Sequence, residues 1–152
     1  MNAITVAGAC IIKDNKILLL QQSADEKDGE PGGWGPSAGH GEEGEKLRQV
    51  AIRETKEESN LDVTLLSIVE SGLFRTSDGN NYLILVYQCK CEDFSKLKID
   101  NHEIVDFRWV SIEELKSNKY KLRHPMLMPI LIKAFGNDNY PLDAFKDMDI
   151  QV

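Results

Sequence analysis

Three cysteines in 152 residues, Cys10, Cys89 and Cys91, exclude a disulfide framework. Cys89 and Cys91 lie two apart in an apolar strand pattern, with no second pair and no histidine nearby. They read as two thiols on one face of a strand rather than as a metal pair. No apolar run approaches the roughly 20 residues that span a bilayer; near-apolar runs such as residues 17–20 and 131–135 are short. No basic residue precedes the first apolar run, so the N-terminal segment reads as a first strand and not as a secretory leader. A cytoplasmic protein with no membrane partner is expected. Positive charge is also short: 18 Lys and Arg stand against 25 Asp and Glu, a net charge of −7. This argues against binding to polymeric nucleic acid, which needs basic surface. If such a chain acts on phosphates, it must recruit metal cations or a local basic patch.

What the chain does have suits one folded domain over residues 1–152: 41% hydrophobic and 28% charged residues, with no repeat or linker. Residues 4–13 and 17–22 are strand-like, joined by Asp14-Asn15 turn chemistry. Residues 23–33 form a polar loop. Residues 43–59 read as a helix stopped by Asn60, which tolerates the left-handed conformation of a C-cap. Residues 63–74 and 82–91 are strands around the turn signal Ser77-Asp78-Gly79-Asn80-Asn81. A strand over 104–110 leads to the capping box Ser111/Glu114 and a short helix to about Asn118. A last helix runs from Pro125 to Phe135, and the tail 137–152 packs back on the domain. The class is mixed α/β, or α+β.

The informative segment is residues 39–61, GHGEEGEKLRQVAIRETKEESNL. At 3.6 residues per turn, Leu47, Val50 and Ala51 form an apolar stripe, and the same stripe continues into Glu54, Glu57 and Glu58. Three like charges on an inward face near a helix C-terminus are unfavourable through mutual repulsion, desolvation and the macrodipole. Raised pKa values or a hard cation such as Mg²⁺ or Mn²⁺ would relieve this. The competing reading is a solvated face with Arg53 and Lys56 as counter-charges. Gly39, Gly41 and Gly44 precede the helix in a loop whose backbone can lie close to a ligand, and Glu45 is placed in the first helical turn.

Gly39, five residues, Glu45, seven residues, then Arg53-Glu54-Thr55-Lys56-Glu57-Glu58-Ser59-Asn60-Leu61 closely resembles the signature of the Nudix (MutT-like) hydrolases. Thr55 replaces an apolar residue, Asn60 the usual final glycine, and Ala38 a frequent glycine. Trp34 before the segment and His102-Glu103-Ile104 with Arg108-Trp109-Val110-Ser111 after it extend the likeness. More loosely, Ala38-Gly39-His40, Arg123-His124-Pro125 and Tyr140-Pro141-Leu142 resemble a NudJ-like phosphatase branch, which acts on nucleoside tri- and diphosphates and a thiamine-precursor pyrophosphate.

The resemblance implies an α/β/α sandwich with a mixed sheet. It implies Mg²⁺-dependent hydrolysis of a phosphoanhydride in a nucleoside di- or triphosphate or related diphosphate, with Mn²⁺ as a substitute. Glu54, Glu57, Glu58 and the Ala38 carbonyl would hold metal. Glu54 is the first choice for general base, Arg53 would orient a carboxylate, and Glu103 is an alternative base or ligand. Trp34 and Phe74 are candidates either to stack on a ring or to fill the core. His40 is a candidate phosphate contact or a plain loop histidine; His102 and His124 have no defensible partner spacing. Lys46 and Arg48 read as surface charges and Arg75 as a weak phosphate candidate. The rival functions are an ADP-ribose or nucleotide-sugar pyrophosphatase and a non-catalytic ligand-binding module. A monomer or homodimer is expected.

Overall fold

The computed structural model describes residues 2–152. Its elements in chain order are strands β1 (Ile4–Lys13), β2 (Lys16–Gln22), β3 (Trp34–Gly35) and β4 (Ser37–His40), helix α1 (Leu47–Ser59), and strands β5 (Val63–Arg75) and β6 (Asn81–Cys91). Strand β7 (Ile104–Ser111) and helices α2 (Ile112–Lys116) and α3 (Leu127–Ala134) complete them. Asp14 and Asn15 take left-handed backbone, with φ of 51° and 59°, as a two-residue hairpin requires.

Strand β1 is the spine. One edge pairs in parallel with β6, from Ile4↔Tyr82 to Ile11↔Cys89. The other pairs first with β4, at Val6↔His40 through Ala9↔Ser37, and then with β2. Strand β5 lies outside β6, while β3 and β7 pair with β2. The sheet is therefore mixed, and its two-residue period sorts the core. Ala7, Leu85 and Tyr87 meet Leu47, Val50 and Ala51 of α1 on one face. Cys10, Val86, Ile17 and Leu19 meet Leu115 of α2 and Ile130, Leu131 and Ala134 of α3 on the other. This is the expected α/β/α sandwich. Trp34 packs edge-on against Tyr120 beside that second cluster, so it is a core residue. All three thiols are free, and Cys10 and Cys89 are buried. No helix among the described residues is long and apolar enough to cross a membrane.

Helix α1 begins four residues later than the expected start at Glu43. Gly44 takes a φ of +77°, a left-handed conformation that interrupts the helix path. Glu45 consequently lies before the helix and not in its first turn. The helix stop is as expected: Asn60 has a φ of 61°, and its N–H donates to the Lys56 carbonyl at 2.9 Å. Helices α2 and α3 are likewise shorter than expected; Pro125 belongs to the turn before α3, where the Leu127 N–H donates to the His124 carbonyl.

The start of α1 is fastened from far along the chain. The Lys46 N–H donates to Gln49 Oε1 at 2.9 Å, and the Leu47 N–H donates to Asp147 Oδ2 at 2.7 Å. Lys46 Nζ reaches the Asp147 carbonyl and Asp149, and Arg48 reaches the Leu142 carbonyl and Asp143. Tyr140 and Ile68 exchange two backbone hydrogen bonds. The tail thus packs back as expected, and Lys46 and Arg48 are spent on it. Asp147 satisfies an amide that no residue near the helix start satisfies. Asp147→Ala is expected to lower stability by about 1 kcal/mol in urea unfolding; an unchanged midpoint would remove Asp147 as the cap.

Candidate active site

Helix α1 presents its acids at three different depths. Ala51, Thr55 and Glu58 continue the buried stripe, and Glu58 is only 5% exposed. Thr55 tolerates the apolar position because its hydroxyl donates to the Ala51 carbonyl at 2.7 Å. Glu54 lies half-buried on the adjoining stripe, and Glu57 is exposed. The expectation of three carboxylates sharing one inward face is corrected accordingly.

Glu58 is anchored under β4: its Oε1 accepts from Ser37 Oγ at 2.8 Å and from the Ala38 N–H at 3.0 Å. Burial raises its carboxyl to about 8, opposed by the Arg123 charge and the Ser37 hydrogen bond. Burial likewise raises Glu54, opposed by Arg53, while Glu57 and Glu103 push it further up. Glu103 is exposed on the loop before β7, so its charge reaches Glu54 from outside the helix.

Arg53 organises the remaining acids. Its Nε and Nη2 grip both oxygens of Glu45 at 2.7 and 2.9 Å, a forked pair that holds Glu45 below the usual carboxylate range. Its Nη1 donates to Glu54 at 2.9 Å and to Glu57 at 3.2 Å, and Nη2 also reaches the His40 carbonyl. Arg53 thus contacts three carboxylates and ties α1 to the loop before it.

A cavity of about 350 Å³ adjoins this centre across β4. Ala38, Gly39 and His40 form its wall; Val6, Ile84 and Val86 from the sheet, Phe74, and Leu127 and Ile130 from α3 supply apolar surface. Asp28 stands at its edge, 3.9 Å from His40 Nε2 and 3.6 Å from His124 Nε2. Phe74 is thus available to a ring in the cavity, whereas Arg75 is exposed at the end of β5 and His102 in a surface turn.

A family comparison places this geometry. The NUDIX domain model matches residues 2–129. The chain belongs to the Nudix family. An uncharacterized Nudix hydrolase of Listeria innocua is 31% identical over 114 residues, 74% of this chain and 66% of its own length. A putative Nudix hydrolase of Caenorhabditis elegans is 26% identical, and the chain spans only 32% of its length. Phosphatase NudJ of Escherichia coli is 24% identical over 95% of this chain and 92% of its own. A solved Nudix hydrolase from Nitrosomonas europaea superposes with a TM-score of 0.80 at 26% identity, covering 97% of this chain and 98% of that one.

Nudix hydrolases generally use divalent metal ions. As the side chains stand, no three His, Cys, Asp or Glu residues among those described come together as a metal cage. Arg53 instead occupies the space among Glu45, Glu54 and Glu57. The donor chemistry fits a hard cation all the same, because every available ligand is an oxygen. Gly39 fits this arrangement: a Cβ there would meet the Glu54 carboxyl group, so glycine lets this carboxylate rest on the β4 backbone in its present rotamer.

Sequence reasoning passed over Ser37 and Arg123. Neither carries a spacing signal, since both reach Glu58 only through the fold. Arg123 stood out only as part of a tail motif.

A pH experiment tests the Glu58 burial. Between the ordinary value of 4.5 and about 8, folded Glu58 holds a proton that the unfolded chain has lost. Its contribution to stability is fully present below 4.5 and is lost as pH rises through 8. In chelator, the stability advantage of Glu58→Gln over wild type is expected to grow from pH 5 to pH 9. A constant difference would show that Glu58 is not held protonated.

Proposed function

We propose that this protein hydrolyses a phosphoanhydride bond in a nucleoside di- or triphosphate or a related diphosphate compound, with Mg²⁺ as the resident metal and Mn²⁺ as a substitute. The observation that carries this reading is the placement of the signature acids and a ring-sized cavity on two sides of the same short strand, β4. A substrate can bring its diphosphate to the Glu54 and Glu57 side of β4 while its organic group enters the cavity. Metal ions between protein and polyanion reconcile phosphate binding with a net charge of −7.

Glu54, Glu57, Glu58 and the Ala38 carbonyl would hold the metal, which supplies charge neutralisation and a more acidic water. The chain's own residues do the rest. Glu54 accepts the proton of the attacking water as the new P–O bond forms and the bridging P–O bond breaks. Arg53 holds Glu54 and Glu57 in register, and Glu103, whose charge bears on Glu54, is the alternative base. Apolar walls from Phe74, Ile84 and Leu127 exclude water from the organic group.

Two experiments test the reading. Release of phosphate from a panel of nucleotides and diphosphate conjugates is expected in Mg²⁺ and not in EDTA. Orthophosphate released without added pyrophosphatase would place cleavage at the terminal phosphate. Two monophosphates from a sugar conjugate would move the substrate to the nucleotide-sugar class, and no turnover on any compound would contradict the proposal. Glu57→Gln is expected to lower turnover by more than about tenfold with the fold intact, because Glu57 is exposed and its loss strands no buried group. Wild-type turnover in this variant would remove Glu57 from the metal set.

A further inference from the structure

Arg123 lies outside the signature and reaches the site from the segment before α3. Four observations tie it to Glu58 and to the turn above it. Its Nη2 donates to the Pro36 carbonyl at 2.7 Å. Its Nε is fully buried without a hydrogen-bond partner. That Nε lies against Gly35, where a Cβ would stand 2.7 Å from it. Glu58 is the carboxylate that acts most strongly on Arg123, ahead of Asp28, Glu26 and Glu54, and Arg123 is in turn the main charge opposing desolvation of Glu58.

The backbone of Arg123 is equally committed. Its N–H donates to the Trp34 carbonyl at 2.8 Å, and its carbonyl accepts from the Glu30 N–H at 2.9 Å. The residue is therefore held on both sides, by β3 and by the 23–33 loop, while its guanidinium presses on the Gly35-Pro36 peptide. The next two residues, Ser37 and Ala38, are the donors that hold Glu58.

We propose that Arg123 is a positioning residue for the hydrolytic centre: by clamping the Gly35-Pro36 turn it fixes Ser37 and Ala38 over Glu58. Arg123 also borders the cavity, and the role assigned to it here is exerted through Ser37 and Ala38. The proposal rests on the functional reading above for its catalytic consequence, but its structural part is independent of turnover. Lysine is a poor substitute, because an ammonium lacks the planar guanidinium that lies against Gly35 while reaching the Pro36 carbonyl.

The test compares wild type with Arg123→Lys and Arg123→Met by amide hydrogen exchange and by kinetics. The Ala38 N–H, whose acceptor is the Glu58 side chain, is expected to exchange about tenfold faster or more in Arg123→Met, with part of the protection recovered in Arg123→Lys. The Leu85 and Tyr87 amides of β6 are expected to keep wild-type protection. On whichever substrate wild type turns over, kcat is expected to fall in the same order by about 10–100-fold, with KM nearly unchanged. Unchanged Ala38 protection, or loss spread equally over β6, would overturn the clamp. A rise in KM at constant kcat would make Arg123 a substrate contact and overturn the positioning role. If wild type turned over nothing while Ala38 alone loosened, the functional reading would fail and the clamp would stand.

Discussion

Burial of the Glu58 carboxylate beneath β4 constrains the rest of the site. A carboxylate with 5% exposure must be hydrogen-bonded, and here one oxygen takes both available donors, Ser37 Oγ and the Ala38 N–H. That double bond fixes the distance between α1 and β4. It also sets the Glu54 carboxyl group against the β4 backbone at Gly39, where a Cβ would crowd it. The helix cannot rotate without stranding Glu58, and the strand cannot shift without breaking its pairing with β1.

Charge is managed in two layers around this anchor. Arg53 gathers Glu45, Glu54 and Glu57 on the outer side, and Arg123 faces Glu58 from the inner side. Arg53 thus holds two of the acids that a divalent cation would need, and the Arg123 charge bears on the third. Arg53 competes with such a cation for Glu54 and Glu57, whereas Arg123 braces the backbone from behind. The cavity shares β4 with the acids, so recognition of an organic group and chemistry on its phosphate are adjacent by construction.

Local chemistry was readable in the amino-acid sequence wherever one short segment determines its own conformation. The Asp14-Asn15 turn, the Asn60 helix stop and the Ser111/Glu114 capping box are all of this kind. The acids of α1 were legible as a set because helical spacing and the family signature coincide. Their separate depths were not, because they depend on where β4 meets the helix: Glu58 falls in the buried stripe, Glu54 beside it and Glu57 on the exposed side. The start of α1 was misplaced because Gly44 turns left-handed and the true cap, Asp147, lies at the far end of the chain. The cavity and the roles of Ser37 and Arg123 come from tertiary packing, which no sequence spacing encodes.

On this reading β4 and Glu54, Glu57 and Glu58 of α1 form the divalent-metal site, rather than the exposed acidic groove lined by Glu42, Glu43, Glu45 and Asp62. Titration of Mn²⁺ into isotope-labelled protein, followed by paramagnetic broadening of amide signals, tests it most directly. The account predicts saturable broadening that begins at residues 37–40 and 54–58. Broadening centred on Glu42, Glu43 and Asp62, or none at all, would contradict it.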